Sequence, residues 1–154
     1  MSENKEASQV IAVGSDHAGF AVKEAVKKRL QERGWRVEDY TQVEAGAGDY
    51  PQVGRPVAEA VARGDFPRAV LVCGTGLGMS YVSNRVPGVR AALCFNCEFA
   101  RLSREHNDSN ILVIPGRVAI PDPPLAILDA WLDTPFSQDE RHVRRIYQID
   151  HPEE

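Results

Sequence analysis

The chain has 154 residues, enough for one domain with one substantial core, and its 43% hydrophobic and 26% charged residues match an ordinary globular protein. A net charge of −4 supplies no global attraction for nucleic acid or anionic lipid. Any anion site must therefore be a local cluster of cations, which suits a small ligand better than a polymer. No apolar run approaches the roughly 20 residues needed to span a bilayer. Met1 to Ser8 are polar, lack a signal-peptide core and are expected to be flexible, so the expected location is cytoplasmic.

Val10 to Gly14 is a continuous apolar run that predicts a buried strand, ending in Ser15-Asp16-His17-Ala18-Gly19. Phe20, Val22, Ala25, Val26 and Leu30 then form a helical stripe that stops at Arg33-Gly34, with Lys23, Lys27 and Lys28 as helix surface. Trp35 to Tyr40 predicts an outer strand. Thr41 to Gln52, holding Gly46, Gly48 and Pro51, is too long for a minimal connection and reads as a functional loop, with Asp49-Tyr50-Pro51 its sharpest feature. A helix from about Val53 to Arg63 leads to a third strand, Ala69 to Val72. That strand opens into Cys73-Gly74-Thr75-Gly76-Leu77-Gly78-Met79-Ser80, ahead of a helix over Met79 to Arg85. Val89 to Cys94 predicts a fourth strand, Glu98 to Glu105 a helix, and His106 to Ser109 a polar turn. Ile111 to Ile114 is a fifth strand, closed by Pro115-Gly116-Arg117. Helices over Pro123 to Leu132 and Asp139 to Ile149 complete the chain, the last opened by Ser137-Gln138-Asp139-Glu140 as a capping box.

Strands alternating with helices predict an α/β fold of three layers, an αβα sandwich around a five-stranded parallel sheet. Ligands bind such sheets beyond the carboxyl ends of the strands, which is where Asp16-His17, Cys73 to Ser80 and Arg117 fall. His106 does not. The helix before it carries the chain roughly 12 to 15 Å back toward the opposite edge, so His106 shares chemistry with Cys73 only if it comes from a second subunit.

The glycine loop fails the familiar phosphate motifs. Gly74-Thr75-Gly76-Leu77-Gly78 is not the GxGxxG of a dinucleotide fold and follows the third strand instead of the first. Met79 stands where a P-loop needs lysine and where a CX5R phosphatase needs arginine. An S-adenosylmethionine-binding loop fits poorly too, because the next strand ends at Cys94 and not at a carboxylate. The loop still suits a small anion: glycines allow close backbone approach beside a helix N-terminus and a thiol. The three cysteines read as free thiols. Cys94-Phe95-Asn96-Cys97 has redox spacing without a Gly-Pro-like turn, and two buried or helix-start cysteines are the plainer reading.

Several stretches together resemble the ribose-5-phosphate isomerase B family, which includes isomerases of allose and galactose phosphates. They are Gly14-Ser15-Asp16-His17-Ala18-Gly19-Phe20, Asp49-Tyr50-Pro51, Cys73 to Ser80 with Asn84 to Ala91, Leu102 to Asp108, Gly116-Arg117-Val118, and Arg141-His142-Val143-Arg144-Arg145. The resemblance implies a Rossmann-like sandwich carrying an aldose–ketose isomerase with no metal and no cofactor. It also implies a homodimer or homotetramer with the site shared between subunits. Such an enzyme needs a base, an anion hole, a ring-opening acid and a phosphate clamp.

On this reading Cys73 is the base, since part of the family uses a glutamate at the position of Met79 and methionine takes no proton. The N–H groups of Gly74 to Ser80, with Gly76 and Gly78, form the anion hole. Thr75 binds a sugar hydroxyl, Asp16 manages the O1 and O2 protons, and Tyr50 and Asn84 line the pocket. By resemblance His106 protonates the ring oxygen and Asn107 orients the substrate. Arg141 and Arg145, four apart on one helix face, join Arg117 and His17 at the phosphate. Gln52, Tyr81 and Pro115 depart from the family pattern and bear on substrate choice. Ribose 5-phosphate is the leading substrate. The alternatives are another aldose phosphate of four to six carbons, a non-catalytic sugar-phosphate-binding protein, and a redox protein using Cys94 and Cys97.

Overall fold

The computed structural model describes residues 9–41 and 48–154; the expected flexible start, Met1 to Ser8, and Gly46 of the long loop lie outside them. In chain order the elements are β1 (Val10–Ser15), α1 (Phe20–Glu32), β2 (Arg36–Asp39), α2 (Tyr50–Arg63), β3 (Arg68–Cys73), α3 (Leu77–Asn84), β4 (Ala91–Leu93), α4 (Cys97–Asn107), β5 (Ile111–Pro115), α5 (Pro124–Asp133) and α6 (Glu140–Asp150). The five strands form one parallel sheet in the order β2-β1-β3-β5-β4. Among the described residues no helix is long and apolar enough to cross a membrane.

Alternate residues of the central strands feed two separate cores, as the period of two requires. Ala12, Ala69, Leu71, Cys73, Ile111 and Val113 pack under α2 and α3 with Val53, Val57 and Met79. Ile11, Val13, Val70, Val72, Leu112 and Ile114 pack under α1, α4 and α5 with Val26, Ala100 and Trp131. The three-layer sandwich follows. Because α1 and α2 cover opposite faces, β1 and β3 flank a crevice at their carboxyl ends where ligands bind in open α/β sheets.

The differences from the sequence reading are local. Of Asp49-Tyr50-Pro51 only Asp49 stays outside a helix: α2 begins at Tyr50, with proline in its first turn, where no amide donor is needed. Gln52 Oε1 reaches back to the Asp49 N–H (3.1 Å), so this departure from the family pattern is occupied in starting a helix. His106 lies in the last turn of α4 instead of a turn beyond it. The capping box at Ser137 does not form; Asp139 caps α6, its Oδ1 accepting the Arg141 N–H (3.0 Å).

Lys23 overturns its expectation most clearly. It is 1% exposed, and its Nζ donates to Asp39 Oδ2 (2.7 Å) and Glu24 Oε1 (2.9 Å). Lys23, Val26 and Leu30 share the inward face of α1, so the same 3.6-residue periodicity that marked the apolar stripe places this lysine on it.

Candidate active site

Three turns meet at the carboxyl edge of the sheet. After β5, Gly116 N donates to Cys73 O (2.9 Å) and Arg117 N to Gly74 O (3.0 Å), continuing the β3–β5 pairing past the strands. Pro115, paired with Cys73 at the end of the ladder, has no amide to offer; Gly116 supplies the donor. A Cβ on Gly19 would stand 2.6 Å from Val72 O, and one on Gly116 2.8 Å from the Gly19 Cα. Only glycine allows the turns after β1 and β5 to close over the end of β3. Arg117 is thereby brought to the Cys73 end of the sheet with an exposed side chain.

Cys73 itself is 3% exposed, at the end of the central strand, in the core cluster that also holds Met79. Gly76 then adopts φ +81° and caps α3, a conformation that an L side chain resists. Leu77 N donates to Thr75 Oγ1 (3.1 Å) and Ser80 N to Gly76 O (3.0 Å). These two amides are committed, so the expected anion hole narrows from the whole Gly74–Ser80 run to Gly74, Thr75, Gly76, Gly78 and Met79. The Tyr50 ring lies directly on Gly78, leaving no room for a Cβ there. Met79 is fully buried, with a Cβ on Gly54 of α2 only 2.8 Å from its Sδ.

Beside them, Asp16 Oδ1 accepts the Gly19 N–H (2.9 Å), leaving Oδ2 without a protein donor among the described residues. His17 is exposed in the same turn. The polar support of this turn runs inward: Ser15 N donates to Thr41 Oγ1 (3.1 Å), and Thr41 N donates to Asp39 Oδ1 (2.9 Å). Asp39 is the carboxylate that Lys23 holds. Burial alone would raise the Asp39 carboxyl, but the Lys23 and Thr41 hydrogen bonds outweigh it and keep it below its ordinary value.

The remaining candidates gather elsewhere. α4 runs back from the carboxyl edge, and Arg90, before β4, clasps its end and that of α6: Nε donates to Asn107 O (2.9 Å), Nη2 to Asp108 O (3.1 Å) and Nη1 to Asp150 Oδ2 (3.0 Å). The His106 ring packs against that of His142 of α6, which also carries the exposed Arg141 and Arg145. His106, Asn107, Arg141 and Arg145 therefore form a second group, at the amino edge of β4 and β5, away from Cys73.

Asn84 belongs with this second group and not with the Cys73 pocket. Its Oδ1 accepts the Ala91 N–H (2.9 Å) and its Nδ2 donates to Ala91 O (3.0 Å), closing the open edge of β4. It lines a cavity of about 450 Å³ with Asn107, Arg90 and Ile149. Tyr81 turns outward, 62% exposed, beside a smaller cavity of about 170 Å³ that it shares with Tyr50, Arg55 and Arg85.

The two spaced cysteines are poor redox partners. Both are free; burial pushes the Cys94 thiol up to about 12, and burial together with Asp122 raises that of Cys97. Neither is poised as a thiolate. Arg90, Lys23 and His142 are the residues that sequence reasoning underrated. A signal existed for Lys23 alone, in its helical spacing from Val26 and Leu30.

Residues 11–149 match the family model described as Ribose/Galactose Isomerase. The chain is 40% identical over 139 residues to ribose-5-phosphate isomerase B of Escherichia coli (strain K12), covering 90% of this chain and 93% of that protein. It is 37% identical to D-erythrulose-4-phosphate isomerase of Pectobacterium atrosepticum, over 82% of this chain and 84% of the other. Among solved structures, a ribose 5-phosphate isomerase from Thermotoga maritima superimposes with a TM-score of 0.85 at 44% identity, covering 92% of this chain and 97% of that one. With the family model matching residues 11–149 and a relative of 40% identity covered nearly end to end, this chain belongs to the ribose/galactose isomerase family of sugar-phosphate isomerases.

Proposed function

We propose that the protein interconverts ribose 5-phosphate and ribulose 5-phosphate through an enediolate, with Cys73 as the base and a homodimer as the smallest complete unit. The observation that carries this reading is the thiol at the end of the central strand, under a glycine turn whose free N–H groups open a helix. A helix N-terminus favours a thiolate and an enediolate for the same electrostatic reason. The group at position 79 is a methionine, which leaves Cys73 as the proton acceptor of the loop.

His106 gives its proton to the ring oxygen as the C1–O bond breaks, while Asp16 takes the O1 proton and C1 becomes an aldehyde. The Cys73 thiolate then removes the C2 proton; the electron pair forms the C1–C2 double bond, and the charge goes to O1, where the loop amides hold it. Asp16, protonated during ring opening, gives that proton to O1 and takes the O2 proton, while the Cys73 thiol returns its proton to C1, leaving the ketone at C2; the proton left on Asp16 then passes to solvent as His106 regains one from solvent. Thr75 binds a sugar hydroxyl, and Tyr50 bounds the pocket. Arg117, His17, Arg141 and Arg145 hold the phosphate, the arginines through charge-assisted bonds.

His106, Asn107, Arg141 and Arg145 stand at the edge opposite Cys73, and this separation supports a site completed by a second copy. A panel of four-, five- and six-carbon aldose phosphates, ranked by kcat/KM, tests the substrate. The expected order puts ribose 5-phosphate first. A tetrose phosphate at the top would replace that reading with one closer to the Pectobacterium relative. Phosphate binding without turnover of any sugar in the panel would make the protein a non-catalytic binder.

A further inference from the structure

The last turn of α4 and the first turn of α6 meet through two imidazoles. The ring centroids of His106 and His142 are 4.5 Å apart, with the planes tilted by 33°. His106 is half-buried, whereas His142 is only 6% exposed. Ser137 Oγ accepts the Asp139 N–H (3.1 Å) and lies 2.7 Å from His142 Nδ1. Whichever partner supplies the proton, this bond fixes the plane of the buried ring. Ser137 is itself tied to α4, its N–H donating to the carbonyl of Glu105, the residue before His106 (3.0 Å). Among the described residues the His106 ring has this tilted ring contact and no hydrogen bond.

His142 thus differs from the arginines that flank it. Arg141 and Arg145 are exposed and reach outward; His142 faces inward and is held from behind. We propose that His142 and Ser137 are positioning residues for His106, the inference resting on the reading of His106 as the ring-opening acid. They form a backstop against which the imidazole is set, so that its N–H points at the ring oxygen. Proton transfer tolerates little misalignment, and displacement of a reacting group by about 1 Å can cost on the order of a hundredfold in rate. His142 and the arginines proposed to bind phosphate, Arg141 and Arg145, sit on the same helix, with Ser137 just before it. α6 therefore sets the distance between acid and phosphate clamp, a distance that the sugar phosphate itself holds constant.

The test is a double-mutant cycle on His106→Ala and His142→Ala, read as kcat and KM for ribose 5-phosphate together with thermal stability. His142→Ala is expected to lower kcat roughly tenfold or more with little change in KM, and to have no further effect in the His106→Ala background. His142→Phe, which keeps a ring face but loses the Ser137 bond, should recover part of the rate. A His142→Ala loss that persists in full when His106 is absent would overturn the inference and leave the His106 reading intact. A His106→Ala protein as active as the parent would overturn the reading itself. Should His142→Ala fail to fold, Ser137→Ala carries the test from an exposed position: an unchanged kcat there counts against the backstop, and a fall that vanishes in the His106→Ala background supports it.

Discussion

The two halves of the site are built by different means. At the carboxyl edge, position is set by backbone: Gly19 and Gly116 let three turns close over β3, Gly76 bends the chain into α3, and Gly78 admits the Tyr50 ring. At the amino edge, position is set by side chains: Arg90 clasps the end of α4, and the His142 ring packs against His106. An enediolate needs amides fixed to a fraction of an ångström, which a glycine turn supplies. A phosphate with three oxygens tolerates long arginines that adapt to it. On the proposed reading the backbone-built half meets the reacting carbons and contributes Arg117 and His17, and the side-chain-built half brings the ring-opening acid and the two arginines of α6.

The largest effect that would break or sharpen this contrast is at Cys73. Cys73→Ala should lower kcat by roughly 10² to 10⁴-fold, as expected for loss of a general base, while binding of the sugar phosphate persists. An equal mixture of Cys73→Ala and His106→Ala proteins should recover about a quarter of parental activity if subunits exchange into random dimers, each mixed dimer holding one intact site. No recovery despite proven exchange would place both halves in one chain.

Next in size is the support beneath the backbone-built half. Lys23→Met leaves the Asp39 carboxylate half-buried with Lys27 (3.3 Å) as its remaining cation, so the cost should fall at the low end of the roughly 3–5 kcal/mol seen when a buried pair is broken. Because the Asp39 carboxyl is held below its ordinary 3.8 in the folded chain, the contact contributes fully above about that pH. The contribution is lost as acid protonates Asp39. Denaturant melts of the parent between neutral and acid pH should lose this increment below that value, and melts of the variant should not.

Arg145→Ala should act on KM more than on kcat, removing one charge-assisted contact worth about 1.5–3 kcal/mol, with the loss growing smaller as salt rises. A larger effect on kcat than on KM would move Arg145 from the phosphate to the reacting end. Smallest of all, Cys94→Ala should leave turnover within about twofold of the parent, since that thiol is buried and held protonated. A reversible disulfide with Cys97 under mild oxidant, together with lost activity, would contradict this.

How much was legible in the sequence divides along the same line as the two halves. The strands, their parallel order of use, and the turn at Cys73 to Ser80 were readable because apolar runs and glycines act locally, through burial and permitted φ. Asp16, Thr75 and Arg117 could be assigned to one edge from topology alone, as could the separation of His106 from Cys73. The place of Asn84 at the β4 edge was not legible because its two hydrogen bonds go to Ala91, seven residues on, across a turn that no propensity describes. The start of α2 was missed because a proline at a first helical turn looks, in sequence, like a loop.

What the sequence determined by itself was the α/β architecture, the glycine turn with its thiol, and a pair of arginines on one helix face, since each depends on neighbours within a few positions. The tertiary structure alone decided which side chains meet: Lys23 with Asp39 beneath the first turn, and His142 with Ser137 behind His106. Burial assigns these roles. A lysine or histidine written in a polar stretch carries no mark of the face it will present until the sheet and helices have closed around it.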